Sequence, residues 1–312
     1  MPRRFGLPSV YLAAAVVTAL ATAAPLTASP ASGLAARPPL TEPTRLYIVT
    51  ARDRADARKL VGQGRWRVRR YYTAALPGFA SWLTAAEVRE LRADPRVRWV
   101  EPDRPILPMP LARARRAGDR GGGRGSTVYV VDGGVDVARF GDRAWSAYDA
   151  TGGTGEDCRG HGTRVARMVA GPAKGLAPQA GVASVRVLGC GGSGSLSDVL
   201  AGIDWVHRHA RGPAVATLAV DGASSRALMR AMRRLVRSGV FAVAASDDGT
   251  CRVAPGGQAF SSAVPRVAGA AARYLELHPD ADPSTLASWL KCTAARGAIR
   301  QNPSGTLRTE GP

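Results

Sequence analysis

Thr127-Val-Tyr-Val-Val-Asp-Gly-Gly-Val135 decides how this chain folds. Five residues with strong strand preference stop at an acid and two glycines, the pattern of a buried strand reaching its carboxyl end and turning. Similar apolar runs recur at Val182 to Leu188, Ala214 to Val220 and Val240 to Ala245. Helical stretches alternate with them, at Gly162 to Ala170, Ser197 to His209, Ser225 to Arg237, Ser262 to Leu277 and Pro283 to Ala294. That alternation predicts an α/β domain over residues 126–300, with a mostly parallel sheet covered by helices on both faces. Functional residues are then expected at strand carboxyl ends, where Asp132 stands.

Upstream, a smaller unit is predicted over 45–105. Leu46 to Val49 reads as a strand, Ala55 to Val61 as a helix, and Trp66 to Tyr72 and Phe79 to Leu83 as two strands. Thr84 with Glu87 is a capping box opening a helix that Asp94-Pro95 ends, before a strand at Val97 to Val100. This βαββαβ-like order predicts a small ferredoxin-like α+β domain. Residues 106–125 are dominated by Pro, Arg, Ala and Gly, and predict a solvated linker open to proteolytic processing.

Arg3 and Arg4, the Ala-rich apolar run Val10 to Leu26 and the small residues Ala21-Thr22-Ala23 predict a secretory signal peptide and connector over 1–33. The run is short for a membrane span and no second one follows, so export is expected without a stable membrane anchor. In an oxidising compartment Cys158, Cys190, Cys251 and Cys292 predict two disulfides, with three pairings possible. They form no CxxC pair, which argues against zinc. The net charge of +19 suggests nucleic acid, but only Lys59, Lys174 and Lys291 are lysines; the other cations are arginines spread along the chain, with few aromatics interleaved. No nucleic-acid partner is therefore expected.

Three residues carry chemistry. Asp132 alone is a turn residue. His161, in Asp157-Cys-Arg-Gly-His-Gly-Thr-Arg-Val-Ala166, and Ser261, in Ala259-Phe-Ser-Ser-Ala-Val-Pro-Arg-Val-Ala-Gly269, alone read as a structural histidine and a helix cap. Together, Asp, His and Ser in this order form a known nucleophilic triad. With these contexts the sequence resembles the subtilisin-like serine peptidases, particularly the proteinase K and aqualysin group. Lys174-Gly-Leu-Ala-Pro178, Val185-Arg-Val-Leu188, Gly192-Ser-Gly-Ser195 and Ala201-Gly-Ile-Asp-Trp205 are also similar to that group, and Tyr72 to Ile106 is similar to its inhibitor prodomain.

The resemblance implies a secreted, monomeric endopeptidase made as a zymogen, acting on proteins or peptides and inhibited by its own prodomain. Ser261 would attack the carbonyl to form an acyl-enzyme, His161 would carry the proton and Asp132 would orient the imidazole. Ser262, where the family has Met, is the alternative nucleophile. The family's disulfide maps onto Cys158 and Cys190, leaving Cys251 with Cys292. No cofactor is expected; structural calcium is common in the family, but no carboxylate cluster here identifies ligands.

The pattern also departs from the family. Asp247 stands where the family has the oxyanion Asn, and loss of such a donor typically costs about 3 to 4 kcal/mol of transition-state stabilisation. Gln258 is the nearest substitute donor in sequence. Only 14 positions separate Asp247 from Ser261, where the family has a long segment with further strands and a pocket wall, so the sheet is expected to lose pairing partners. The family's substrate strand Ser-Leu-Gly-Gly appears as Ala219-Val-Asp-Gly222, and Arg164, Arg167 and Arg266 replace His, Gly and His. The alternative function is thus an impaired relative that binds peptides or partners without cleaving them.

Overall fold

Alternate side chains of the N-terminal unit face two different cores. In the computed structural model, which describes residues 42–111, 122–173, 175–221, 225–246, 252–254, 258–261, 263–290, 299–301 and 307–309, this unit comprises β1 (Arg45–Ala51), α1 (Arg54–Gly62), β2 (Arg67–Tyr72), β3 (Gly78–Leu83), α2 (Ala85–Ala93) and β4 (Val97–Pro102). The strands form an antiparallel sheet in the order β2-β3-β1-β4. Val49, Ala51, Phe79 and Leu83 pack under Ala57 and Leu60 of α1 and Val88 and Leu91 of α2. The neighbouring Ile48 and Ala80, with Tyr72, turn the other way into the core of the second domain. Period-two alternation thus builds a sheet with helices on one face and a docking surface on the other. The capping box is present, with the Thr84 N–H donating to Glu87 Oε2 at 2.7 Å and the Glu87 N–H to Thr84 Oγ1 at 3.2 Å.

After β5 (Pro105–Ile106) the second domain runs β6 (Thr127–Asp132), a 3-10 segment over Val137–Arg143, β7 (Ala144–Asp149), α3 (His161–Ala170), β8 (Gly181–Arg186), β9 (Gly194–Ser195), α4 (Leu196–His209), β10 (Ala214–Leu218), α5 (Arg226–Arg237), β11 (Val240–Ala244), β12 (Arg252–Ala254), β13 (Gln258–Phe260), α6 (Val264–Leu277) and α7 (Pro283–Leu290). A hairpin of β14 (Ile299–Gln301) and β15 (Leu307–Thr309) follows. The main sheet has the order β12-β13-β11-β10-β6-β8-β7, parallel except for the β12–β13 pair. Along β6, Tyr129 and Val131 face the core under α4 and α5, and Val128 and Val130 the core under α3 and α6. The predicted α/β domain is therefore present, with β6 near its centre. Edge strand β7 and the three-residue strands β12 and β13 are not expected from the sequence, because a half-exposed edge segment and three-residue runs carry little periodicity.

The first domain docks on α4 and α5 through charge as well as apolar contact. Asp204, on α4 and almost fully buried, accepts the N–H groups of Thr73, Ala74 and Ala75 at 3.1, 2.7 and 2.8 Å. Arg69 and Arg70 each reach Asp198 at 2.9 Å. Asp103 accepts the Ser197 N–H at 3.0 Å and Glu101 the Ala227 N–H at 2.7 Å, placing carboxylates at the N-terminal ends of α4 and α5, where the helix dipole favours them.

The solvated linker predicted over 106–125 is bound at its start. Ile106 is fully buried, β5 pairs with β9, and the chain continues along Ala219 to Asp221, because an apolar side chain and unpaired backbone groups both find partners there. Residues 112–121 of that linker, and the predicted signal peptide 1–33, lie outside the described residues. Among the described residues no helix is long and apolar enough to cross a membrane.

Candidate active site

Asp132 ends β6 between the parallel neighbours β8 and β10 and is fully buried. Its Oδ1 accepts the Gly133 N–H at 2.7 Å and meets His161 Nδ1 at 2.8 Å, while Oδ2 is buried without a partner among the described residues. Burial pushes the carboxyl above its ordinary value, and the bond and charge of His161 only partly oppose this.

His161 is the first residue of α3. The glycine before it has φ 72°, and Asp157 organises the turn, its Oδ1 accepting the Gly160 N–H at 2.8 Å and its Oδ2 the Thr163 N–H at 2.7 Å. A Cβ on Gly162 would collide with the Gly134 carbonyl oxygen, so the bare glycine lets α3 start against the Asp132 turn. The disulfide Cys158–Cys190 ties this loop to the one after β8, with a Cα–Cα distance of 5.1 Å. Buried Arg186 lies beneath it, 3.1 Å from Cys190 Sγ and 3.3 Å from Asp149 Oδ2.

His161 Nε2 lies 2.9 Å from the carbonyl oxygen of Met109. Both ring nitrogens thus face acceptors, and a neutral imidazole has one N–H; only the imidazolium donates to both. Burial alone would lower the His161 pKa, but the hydrogen bond and charge of Asp132, the Met109 carbonyl and the charge of Asp157 outweigh it and hold it above the ordinary value. The Met109 carbonyl is presented by an extended strap. The Met109 N–H donates to Ala219 O at 2.9 Å, the Asp221 N–H to Leu107 O at 3.0 Å and the Leu107 N–H to Asp221 Oδ1 at 2.8 Å, with Pro108 antiparallel to Val220. This is how a peptide would lie in a groove leading to His161.

Ser261 follows β13 and is fully buried. Its N–H donates to Ala244 O at 3.0 Å, prolonging the β11–β13 ladder, and its Oγ accepts the Ala263 N–H at 2.9 Å. Among the described residues, these hydrogen bonds do not include His161. The helix expected from Ser262 begins at Val264. Gln258 is buried in β13. Asp247, Ser262, Cys251 and Cys292 lie outside the described residues.

Asp132 and His161 are therefore brought together, and Ser261 is placed at the end of β13 facing other partners. The groove-bound Met109, the turn-holding Asp157 and the docking residues Asp198 and Asp204 were not assigned from sequence. Asp204 sits in a quoted motif and Asp157 four positions before His161; nothing local marks Met109.

Known proteins resemble the chain in both domains. A family model for the subtilase family matches residues 123–260 and one for the peptidase inhibitor I9 matches residues 45–107. The extracellular serine proteinase of Thermus sp. (strain Rt41A) is 32% identical, over 79% of this chain and 78% of that protein. The alkaline serine exoprotease A of Vibrio alginolyticus is 36% identical over 61% of this chain, which spans only 41% of that enzyme. The crystal structure of fervidolysin from Fervidobacterium pennivorans, a keratinolytic enzyme related to subtilisin, superposes with a TM-score of 0.63 over 86% of this chain and 60% of its own, at 17% identity, a likeness of fold.

Proposed function

This chain belongs to the subtilase family and carries an N-terminal inhibitor prodomain, and from that premise we propose that it is a secreted, monomeric serine endopeptidase made as a zymogen. The observation that carries this reading is the half-buried His161 paired with the buried Asp132, with a peptide carbonyl, that of Met109, at Nε2. In the reaction Ser261 Oγ forms a bond to a substrate carbonyl carbon while its proton passes to His161 Nε2, and Asp132 stabilises the imidazolium. His161 then returns the proton to the leaving amine as the C–N bond breaks, and water hydrolyses the acyl-enzyme. The substrates are proteins or peptides lying where Leu107 to Met109 lie, and the prodomain excludes them by occupying the groove. Secretion is supported by the apolar N-terminal run and by the extracellular naming of the Thermus relative.

A second reading, a relative that binds peptides without cleaving them, is favoured by Ser261. For attack, its Oγ must leave the Ala263 N–H and turn toward His161, and its own N–H, given to Ala244, is not free for an oxyanion. Asp247 in place of the oxyanion Asn supports the same reading.

Mass spectrometry of the full chain, comparing wild type with Ser261→Ala and Ser262→Ala, tests the two. A cut within residues 106–125 that disappears in Ser261→Ala establishes the peptidase. Its disappearance in Ser262→Ala alone moves the nucleophile by one residue. A folded chain uncut in all three favours the binding protein.

A further inference from the structure

In an antiparallel pair, an inward-facing residue uses its own N–H and its own C=O on the same partner residue. Asp221 does this differently. Its N–H donates to the Leu107 carbonyl at 3.0 Å, but the Leu107 N–H is accepted at 2.8 Å by the Asp221 side-chain carboxylate. In the motif this stretch resembles, a glycine stands there, and glycine has no such acceptor. We propose that Asp221 is a specificity-determining residue of the peptide groove, its carboxylate holding the main-chain N–H of the residue two positions before the one whose carbonyl faces His161. The inference rests on reading the groove as the peptide site, and not on turnover.

The ligand class follows from the strap. Two N–H groups are used, that of Met109 by Ala219 and that of Leu107 by Asp221. The residue between them, Pro108, stands opposite Val220 and has no N–H to offer. The groove therefore takes extended peptides that carry an N–H at the first and third positions, accepts proline at the second and rejects proline or an N-methylated residue at the third.

Amide hydrogen exchange on the full chain reads this bond whether or not the protein cleaves anything. In Asp221→Ala, exchange at Leu107 should accelerate about tenfold or more. In Asp221→Asn, whose amide oxygen still accepts, it should change by less than about threefold. Met109, held by Ala219, should move less than Leu107, and Val130 in β6 should not move. Unchanged protection of Leu107 in Asp221→Ala would overturn the proposal, and so would equal acceleration at Val130, which would make Asp221 a residue of the fold. The ligand side is tested with Leu107→Pro, which removes the donor and should expose Met109. A synthetic Ile-Leu-Pro-Met peptide should bind this variant about tenfold more tightly than its N-methyl-leucine counterpart, and the difference should vanish when Asp221→Ala is added. Equal binding of the two peptides before that addition overturns the proposal.

Discussion

The Asp132–His161 side of the candidate site and the Ser261 side are built from unequal material. Asp132 closes a six-residue strand paired on both flanks, and His161 opens a ten-residue helix pressed against that strand's turn and tied by a disulfide. Ser261 follows a three-residue strand whose outer neighbour is another three-residue strand. A strand buried between long parallel partners has one position available to its last residue, whereas a short strand near the sheet edge can extend its ladder by one residue and draw the next side chain with it. Ser261 shows this in donating its N–H to Ala244. The Asp132–His161 pair is thus held by long elements, whereas Ser261, beside short strands, touches Ala244 and Ala263 instead of His161.

The sharpest break of this contrast is chemical. If the acid–base side is a working half, Asp132→Asn should lower kcat for a peptide substrate by about 10⁴-fold, because His161 loses the partner that sets its tautomer and stabilises its cation. A drop no larger than that of a surface mutation would mean that the pair is structural.

Docking ranks next. Asp204→Ala leaves the N–H groups of Thr73, Ala74 and Ala75 without their acceptor and should weaken prodomain docking by about 2 to 5 kcal/mol. Faster exchange in β2 with an unchanged β6 would show this. The disulfide is comparable: it closes a separation of 32 residues, and Cys158→Ser should cost about 3 to 4 kcal/mol on denaturant unfolding. The loss should also loosen His161 while leaving the exchange of the Ser261 N–H unchanged.

The smallest effect is a pH dependence confined to the His161 side. Its folded pKa lies above the ordinary value of about 6.5, so the stabilisation is fully present below that value and is lost as pH rises through the folded value. Exchange of the Met109 N–H should accelerate over that window as the His161 Nε2–H donor to its carbonyl disappears. That of Leu107 should follow less, because Asp221 holds it. A strap indifferent to pH would show that His161 contributes nothing to holding it.

Much of this was legible in residues that act over short distances. Thr127 to Val131 reads as a buried strand because its side chains suit both covered faces, and Thr84 with Glu87 starts a helix whatever surrounds it. The Asp132, His161 and Ser261 contexts identify a family because glycines and small residues sit where helix and turn must approach closely, as Gly162 does. Strands β12 and β13 were not legible, since three residues carry no period; β13 pairs because β11 offers an edge, and β12 because β13 does.

Nor could the chain alone show that Ile106 to Met109 enters a groove. Pro, Leu and Met in an Arg- and Gly-rich stretch look solvated until Ala219, Asp221 and His161, more than fifty positions away, supply three hydrogen-bond partners together. Local sequence carries the propensities, caps and close-contact glycines, and these marked the two folds and the contexts of Asp132 and His161. Burial and charge between distant segments are properties of the folded chain, and they decided the strap, the docked prodomain and the partners of Ser261.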